Sequence, residues 1–455
     1  MAGNLSFDEL KKKVAGGEID TVIAALPDMQ GRLAGKRFRA EFFVSTAWEE
    51  THCCDYLLAT DMEMETVEGY ASSSWSTGYG DHVMKPDLAT LRLVPWLEST
   101  ALVLCDVLDH HDHTPVAHAP RQVLKQQIMR LEELGLSATV ATELEFFVFR
   151  ESFEALRDQG HRDMTTISAY NEDYHIFQTT KEEGLMRAIR NGLQGAGIDV
   201  EGTKGEACAG QAEVNVVYTD ALSMADNHVI AKNAVKEIAF LQGHAITFMA
   251  KWDTNAAGSS SHIHQSLRGA DGSSAFFDAS AEHGMSDTMR HYLAGLLHYA
   301  DDITWFLAPY INSYKRFSDA TFAPTKAVWA MDNRTAAYRI VANNTPSVRV
   351  ECRIGGADLN PHLAIASQIA AGLKGIQEKL PLEPIFSGNA YEAENVRSIP
   401  ATLREATQAM QASSMLRDAM GDEVLAHYVR AAQWEQEDFD SKVTDYERHR
   451  GFERA

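Results

Sequence analysis

Four short blocks of this 455-residue chain carry side chains whose types and spacing could do chemistry. In Ala141-Thr-Glu143-Leu-Glu145-Phe-Phe-Val-Phe149 the apolar flanks and period-2 alternation predict a strand, so Glu143 and Glu145 face the same way. Two such carboxylates repel on a buried face unless a cation sits between them; on an exposed edge they are ordinary acids. Lys204-Gly-Glu206 and Gln211-Ala-Glu213 set two more acids around a tight bend of small residues. In Gly258-Ser-Ser-Ser-His262-Ile-His264-Gln-Ser266 the alternation puts both histidines on one face. The Gly/Ser run before them lets a ligand approach backbone N–H groups, and a satisfied core histidine pair is the competing reading. In Arg349-Val-Glu351-Cys-Arg353 a strand presents three charges together. With Arg316, Arg334 and Arg339 upstream, five arginines fall within 38 residues. Arginine suits bidentate recognition of phosphate and carboxylate, so this stretch points to an oxyanion site.

Each block alone has a bland reading as exposed turn, core pair or charged surface. Together they offer five carboxylates, one or two imidazoles and a group of arginines. Oxygen-rich ligation favours Mg²⁺ or Mn²⁺ over Zn²⁺. Metal and arginines around oxyanions form the arrangement of phosphoryl transfer from ATP. The chain has no Gly-x-x-x-x-Gly-Lys-Ser/Thr motif, so it is not a P-loop enzyme.

The elements that must position these residues follow from pattern. A short helix is predicted over Asn4–Ala15, then strands over Thr21–Leu26 and Gly35–Phe43. Residues 66–80 are small, polar and Gly-punctuated, and read as a mobile loop. Strand-like runs over 88–107 lead to a boundary at 108–120, where His110-His-Asp-His113 reads as a solvated linker rather than a metal tract. A helix with a proline start covers Pro120–Leu134. Strands and helices then alternate to about residue 375, and Ile399–Glu447 is helical and charged. The net charge of −23 argues against a nucleic-acid-coating protein and against docking on anionic lipid. Five scattered cysteines form neither a disulfide framework nor a zinc spacing. No signal-like or membrane-length apolar segment is predicted, and the expected location is the cytoplasm.

Glu143-Leu-Glu145-Phe-Phe, Glu206…Gly210-Gln211-Ala-Glu213, Gly258…His262-Ile-His264-Gln-Ser266, Asn312-Ser-Tyr-Lys-Arg316, Asp332-Asn-Arg334 and Arg349-Val-Glu351-Cys-Arg353 stand in the order and spacing of the glutamine synthetase family. The resemblance runs from about residue 20 to the end. It implies an α+β chain: a small N-terminal β-grasp domain (1–112) and a larger catalytic domain (113–455) with a curved antiparallel sheet flanked by helices. It also implies a homo-oligomer, a dodecamer of two stacked hexamers with active sites at subunit boundaries. By this resemblance Glu145, Glu206 and Glu213 form one metal site, and Glu143, His262 and Glu351 a second, for two or three Mg²⁺ or Mn²⁺ ions. Arg316, Arg334, Arg353 and Gly258 hold glutamate, with Glu145 beside it. Arg339 and Arg349 neutralise ATP phosphates, and Glu201, His264 and Ser266 contact the nucleotide. The implied reaction makes γ-glutamyl phosphate and then an amide.

The departures narrow the acceptor. Ammonia-using members close the site with a Pro-Gly-Tyr-Glu-Ala-Pro flap; here the segment is Phe317-Ser-Asp-Ala-Thr-Phe322-Ala-Pro324, with Phe322 at the carboxylate position. Their second ammonium carboxylate comes from an Asp-Gly-Ser-Ser loop; the matching residues 70–80 contain no acid and include Trp75. A pocket with Phe322 and Trp75 suits a carbon-bearing amine, of alkylamine, ethanolamine, polyamine or aniline type, with a monoamine favoured over a polyamine. The reading is therefore a glutamate–amine ligase. An ammonia-dependent glutamine synthetase, or a catalytically silent scaffold, is the alternative. Asp319 is the expected proton acceptor. Ala257, where ammonia enzymes often carry Asn beside the substrate-contacting glycine, loosens the expectation of strict glutamate use. The adenylylation segment is missing at 385–392.

Overall fold

The computed structural model describes residues 3–319 and 321–455. Its first sheet contains β1 (Thr21–Pro27), β2 (Leu33–Arg39), β3 (Thr51–Cys54), β4 (Asp81–Pro86), β5 (Arg92–Leu93) and β6 (Thr100–Asp109). The order is β2-β1-β6-β4-β3, with β5 beside β6. β1 and β6 run parallel; their other pairings are antiparallel. Val22, Ala24 and Leu26 of β1 and Ala101, Val103, Cys105 and Val107 of β6 alternate into a core with Leu10 and Val14 of the helix Phe7–Ala15. Ser6 caps that helix and Glu9 returns the hydrogen bond.

The strand expected over Gly35–Phe43 stops at Arg39. From Ala40 the chain is helical to Ala47. The reason is periodicity: Ala40, Phe43 and Ala47, spaced by three and four, are all buried in the first core, which only a helical turn can achieve. Residues 110–113 form an exposed turn, as a solvated linker should. None of their side chains joins a metal-holding cluster among the described residues.

The second sheet contains β7 (Leu136–Phe149), β8 (Val200–Gly205), β9 (Gln211–Val216), β10 (Thr219–Asp220), β11 (Ala245–Thr247), β12 (Ile263–Gly269), β13 (Trp329–Met331), β14 (Tyr338–Val341) and β15 (Arg349–Cys352). The order is β13-β14-β15-β12-β7-β9-β8, antiparallel except for the β13–β14 pair. β7 is its spine. Val140, Leu144, Phe146 and Val148 turn into the main core, which leaves Glu143 and Glu145 on the opposite, open face. The helices Pro120–Glu132, Ala221–Leu241, Asp287–His298 and Pro361–Glu378 contribute their apolar sides to that core. No helix among the described residues is long and apolar enough to cross a membrane.

One ion network ties the two sheets together. The Arg121 guanidinium donates to Asp87 (2.9 Å) and Asp106 (2.6 Å) at the first sheet, and to both oxygens of Asp226 (2.9 and 2.8 Å) in the helix Ala221–Leu241. His362 Nε2 donates to Asp226 at 2.9 Å. Burial alone would raise the Asp226 carboxyl, but Arg121 and His362 outweigh it and hold the group well below the usual carboxylate range. Its stabilising effect is therefore present at neutral pH and lost on strong acidification. Removing one partner of a buried ion pair costs about 3–5 kcal/mol. Asp226→Asn should lower the unfolding free energy at pH 7 by an amount of that order and flatten the acid limb of the stability–pH curve. A loss below about 1 kcal/mol in denaturant titration would remove this network from its structural role.

Candidate active site

Sheet register builds the centre of the site. Glu145 lies directly opposite Glu213 on β9, and Glu143 opposite Asn215. Lys204 on β8 continues the first row, opposite Glu213. On the other side of β7, His264 on β12 faces Glu351 on β15, and Glu351 faces Arg339 on β14. Oxygens of Glu145, Glu206 and Glu213 lie within 4.8 Å of one another, as do donor atoms of Glu143, His264 and Glu351.

The first trio is strongly anionic. Ser260 donates to both oxygens of Glu145, through its backbone N–H (2.7 Å) and its hydroxyl (2.5 Å). Burial and the Glu206 charge still push the Glu145 carboxyl up to about 7. Burial, with Glu143 and Glu145 nearby, pushes Glu213 to about 9. The cation these acids do have is the Lys204 ammonium, which donates to Glu206. Three converging oxygen donors, those of Glu145 and Glu213 buried and that of Glu206 half-buried, fit a hard divalent cation.

Glu143 behaves differently. His262 Nδ1 donates to one of its oxygens at 2.7 Å and His264 Nε2 to the other at 2.9 Å. These bonds outweigh burial and hold Glu143 well below the usual range. Arg349 Nε donates to His264 Nδ1 at 3.3 Å, so the His264 proton sits on Nε2, toward Glu143. His262 Nδ1 is also 3.7 Å from Glu351. The second donor set thus brings in His264, expected on the nucleotide side only, beside the expected His262.

The arginines divide by partner. The Arg316 guanidinium is buried and pinned by the carbonyls of Ile354 (2.7 Å) and Arg353 (2.8 Å). A Cβ on Gly258 would stand 2.6 Å from Arg316 Cγ, so only glycine permits this approach. Arg339 donates to Glu351 at 2.9 Å, and Arg353 donates to the same carboxylate and, at 3.1 Å, to the Arg334 carbonyl. Arg334 itself is exposed.

Two cavities meet at Glu143 and Asn215. One of about 560 Å³ holds Glu145, Glu206, Glu213, Gly258, His262, Arg316, Arg334, Arg339, Glu351, Arg353 and Phe322 in its walls. The other, about 530 Å³, is lined by Glu201, His264, Ser266 and Arg349. Arg339, expected on the phosphate side with Arg349, lines the first cavity and not the second.

Two expected residues lie elsewhere. Asp319 is exposed and does not line either cavity. Trp75 is 75% exposed and packs on Tyr79 at 5.0 Å, outside both cavities of its own chain. An acid other than the expected Asp319 reaches the first cavity. Asp173 and Tyr174 line the first cavity together with Phe322. Their loop lies between the recognised blocks. In the sequence the only signal was Asn171-Glu-Asp-Tyr174, a polar run like any exposed turn. Gln211, Asn215, Ser260 and Lys204 also line the first cavity. All four lie inside or beside the quoted blocks, where spacing alone gave them no role.

Comparison with known proteins adds independent information. Residues 117–451 match the glutamine synthetase catalytic domain family. The chain is 48% identical over 451 residues to a γ-glutamylethanolamide synthetase of Streptomyces coelicolor, covering 99% of this chain and 96% of that one. It is 36% identical over 433 residues to a glutamate–isopropylamine ligase of Pseudomonas sp., covering 94% of each. Among solved structures, a GmaS–ADP complex superposes with a TM-score of 0.85 at 25% identity, over 97% of this chain and 99% of that one.

A carboxylate raised in the fold opposes folding once the pH exceeds its unfolded value, and the penalty grows until the group has ionised in the folded state. For Glu145 and Glu213 that window runs from the ordinary carboxylate range to about 7 and about 9. A divalent cation held by the ionised trio would relieve the penalty. Mg²⁺ or Mn²⁺ should therefore raise Tm more at pH 8.5 than at pH 6. Equal increments in thermal melts at the two pH values would contradict this arrangement.

Proposed function

This chain belongs to the glutamine synthetase family, and from that premise we propose that it is an ATP-dependent ligase joining the γ-carboxylate of glutamate to a small organic amine. The observation that carries the choice of acceptor is Phe322. Its ring lines the cavity from the flap, 56% exposed on a backbone with φ of +58°, where ammonia-using relatives place a carboxylate. Tyr391 Oη donates to the neighbouring Ala323 carbonyl at 3.0 Å and steadies that flap. The γ-glutamylethanolamide synthetase and the glutamate–isopropylamine ligase that this chain resembles support a short monoamine.

In this reading the first cavity takes glutamate. Arg316, Arg334 and Arg353 meet its carboxylates, and the open backbone at Gly258 meets its amino-acid end. The second cavity takes ATP, with Arg349 and Arg339 on the phosphates and Glu201, His264 and Ser266 along the nucleoside. The acids fit divalent ions: Glu145, Glu206 and Glu213 for one, and Glu143, Glu351 and an imidazole of His262 or His264 for another. Bound there, Mg²⁺ or Mn²⁺ offsets phosphate charge.

The residues' own work is positioning and charge. Arg316 is fixed by two carbonyls and needs no rearrangement to face an incoming carboxylate. The γ-carboxylate attacks the terminal phosphorus of ATP, ADP leaves, and γ-glutamyl phosphate remains. An amine then displaces phosphate. Holding the two cavities edge to edge at Glu143 turns this into a reaction between fixed neighbours. We further infer a cytoplasmic ring oligomer of two stacked hexamers, in which Trp75 approaches an acceptor pocket only from a neighbouring copy, and a division into residues 1–112 and 113–455.

Phosphate release with glutamate and ATP, measured against ammonia, methylamine, isopropylamine, ethanolamine, putrescine and aniline, tests the assignment. Turnover should be highest with a short organic monoamine; a maximum with ammonia would reject it, and no turnover with any acceptor would mark a silent relative. Phe322→Glu should shift preference toward ammonia by about tenfold, the order expected for one pocket substitution. An unchanged acceptor profile would remove Phe322 from acceptor selection.

A further inference from the structure

The loop Asn171–Tyr174 is held to the acid-bearing bend by its second residue and presents its last two to the cavity. Glu172 is fully buried. Its Oε1 accepts from Gly210 N–H at 2.8 Å, and its Cβ lies so close to Gly205 that a side chain there would collide at 2.6 Å. Asn171 Nδ2 donates to the Ala207 carbonyl at 3.2 Å. These three partners flank Glu206 on both sides. Beneath the loop lies the buried Glu182, whose carboxyl is pushed up to about 9 by burial and by the Glu172 carboxyl beside it. The loop is therefore anchored to the same bend as the metal-type acids. The backbone then reverses, with Tyr174 at φ of +54°, and Asp173 and Tyr174 line the cavity that also holds Phe322.

These two residues already accommodate a primary ammonium. Lys204 Nζ lies 4.6 Å from the centroid of the Tyr174 ring and 3.8 Å from Asp173 Oδ1, while its hydrogen bond goes to Glu206. Among the described residues no hydrogen bond reaches the Asp173 carboxylate oxygens. An exposed carboxylate beside an aromatic face, held only by the longer 3.8 Å ion pair to Lys204, is a surface that suits an alkylammonium. An alkylamine arrives at neutral pH as R–NH₃⁺, so an apolar wall at Phe322 does not by itself solve its desolvation.

We propose that Asp173 receives the acceptor's ammonium group, beside the Tyr174 ring, and takes one of its protons before the nitrogen attacks. This rests on the amine-ligase reading and names the residue that serves its second step. R–NH₃⁺ gives a proton to the Asp173 carboxylate, and the freed lone pair forms the C–N bond at the γ-acyl carbon. The C–O bond to phosphate breaks, the second nitrogen proton leaves with the phosphate as hydrogen phosphate, and Asp173 returns its proton to water. Asp173 supplies the negative charge and Phe322 supplies the size and polarity that separate a substituted amine from ammonium.

The test compares two nucleophiles on the full-length enzyme: the best organic amine, which is cationic at pH 7, and hydroxylamine, which is neutral there and needs no carboxylate to lose a proton. Asp173→Asn should lower the ratio of kcat/KM for the amine to kcat/KM for hydroxylamine by about 100-fold, the lower end of a general-base contribution. Asp173→Ala should do the same, and both sit at an exposed position, so Tm should hold. A ratio within about threefold of the unmodified enzyme for both variants overturns the role of Asp173. Should the unmodified enzyme prove to prefer ammonia, the amine-ligase reading fails separately, and the same ratio taken with ammonium as the cationic acceptor still tests Asp173.

Discussion

The structure is organised around a repulsion. Glu145 and Glu213 are paired face to face on adjacent strands, where like charges directly opposite are unfavourable in any sheet, and Glu206 closes on both from the bend between β8 and β9. Nothing in the core requires these acids. Burial and mutual repulsion push the Glu145 and Glu213 carboxyls upward. The proposed divalent cation would offset that repulsion. The sheet pairing and the Ser260 hydrogen bonds hold the acids in this arrangement.

The arginine side of the site solves the opposite problem. Arg316 is buried and makes no ion pair among the described residues, and two carbonyl oxygens fix its direction. Burial lowers it to about 10, so it remains charged at neutral pH. A fully buried guanidinium held by neutral acceptors is a charge kept ready for an anionic ligand. Arg339 and Arg353, by contrast, are both held on Glu351, which His264 faces from the next strand. One carboxylate thereby sets the position of two arginines and takes part in the second metal-type cluster. Acid and base in this site are mutually positioned through the register of four strands, β7, β12, β15 and β14.

The acceptor side is where the sequence argument and the structure part. The recognised blocks place Phe322 on a flap that lacks its usual acid, and its ring does line the cavity. The acid that lines this cavity is Asp173, from a loop that carries no motif, and not the expected Asp319. A carboxylate there is compatible with an organic acceptor, since alkylammonium and ammonium both need their charge met. What would distinguish them is the space and polarity beside the carboxylate, the role proposed above for Phe322. Asp319, three residues from Phe322 in the chain, is turned outward on the exposed limb of the flap.

Local pattern alone determined a good deal. Period-2 alternation in 141–149 places Glu143 and Glu145 on one face whatever else the chain does, because apolar neighbours force the strand to bury its other side. Ordered blocks of acids, histidines and arginines identify the family. The spacing of Ala40, Phe43 and Ala47 also held the helix that a simple strand reading overran. What only the tertiary structure decided is which distant residues become neighbours. Strand register sets Glu145 against Glu213 and Glu351 between His264 and Arg339, and register depends on the packing of whole sheets. The close contact of Gly258 with Arg316 and the hook of Glu172 onto Gly210 join residues 58 and 38 positions apart. Such contacts leave no periodic trace, since a loop residue reaches a cavity through the path of the folded backbone and not through the pattern of its neighbours.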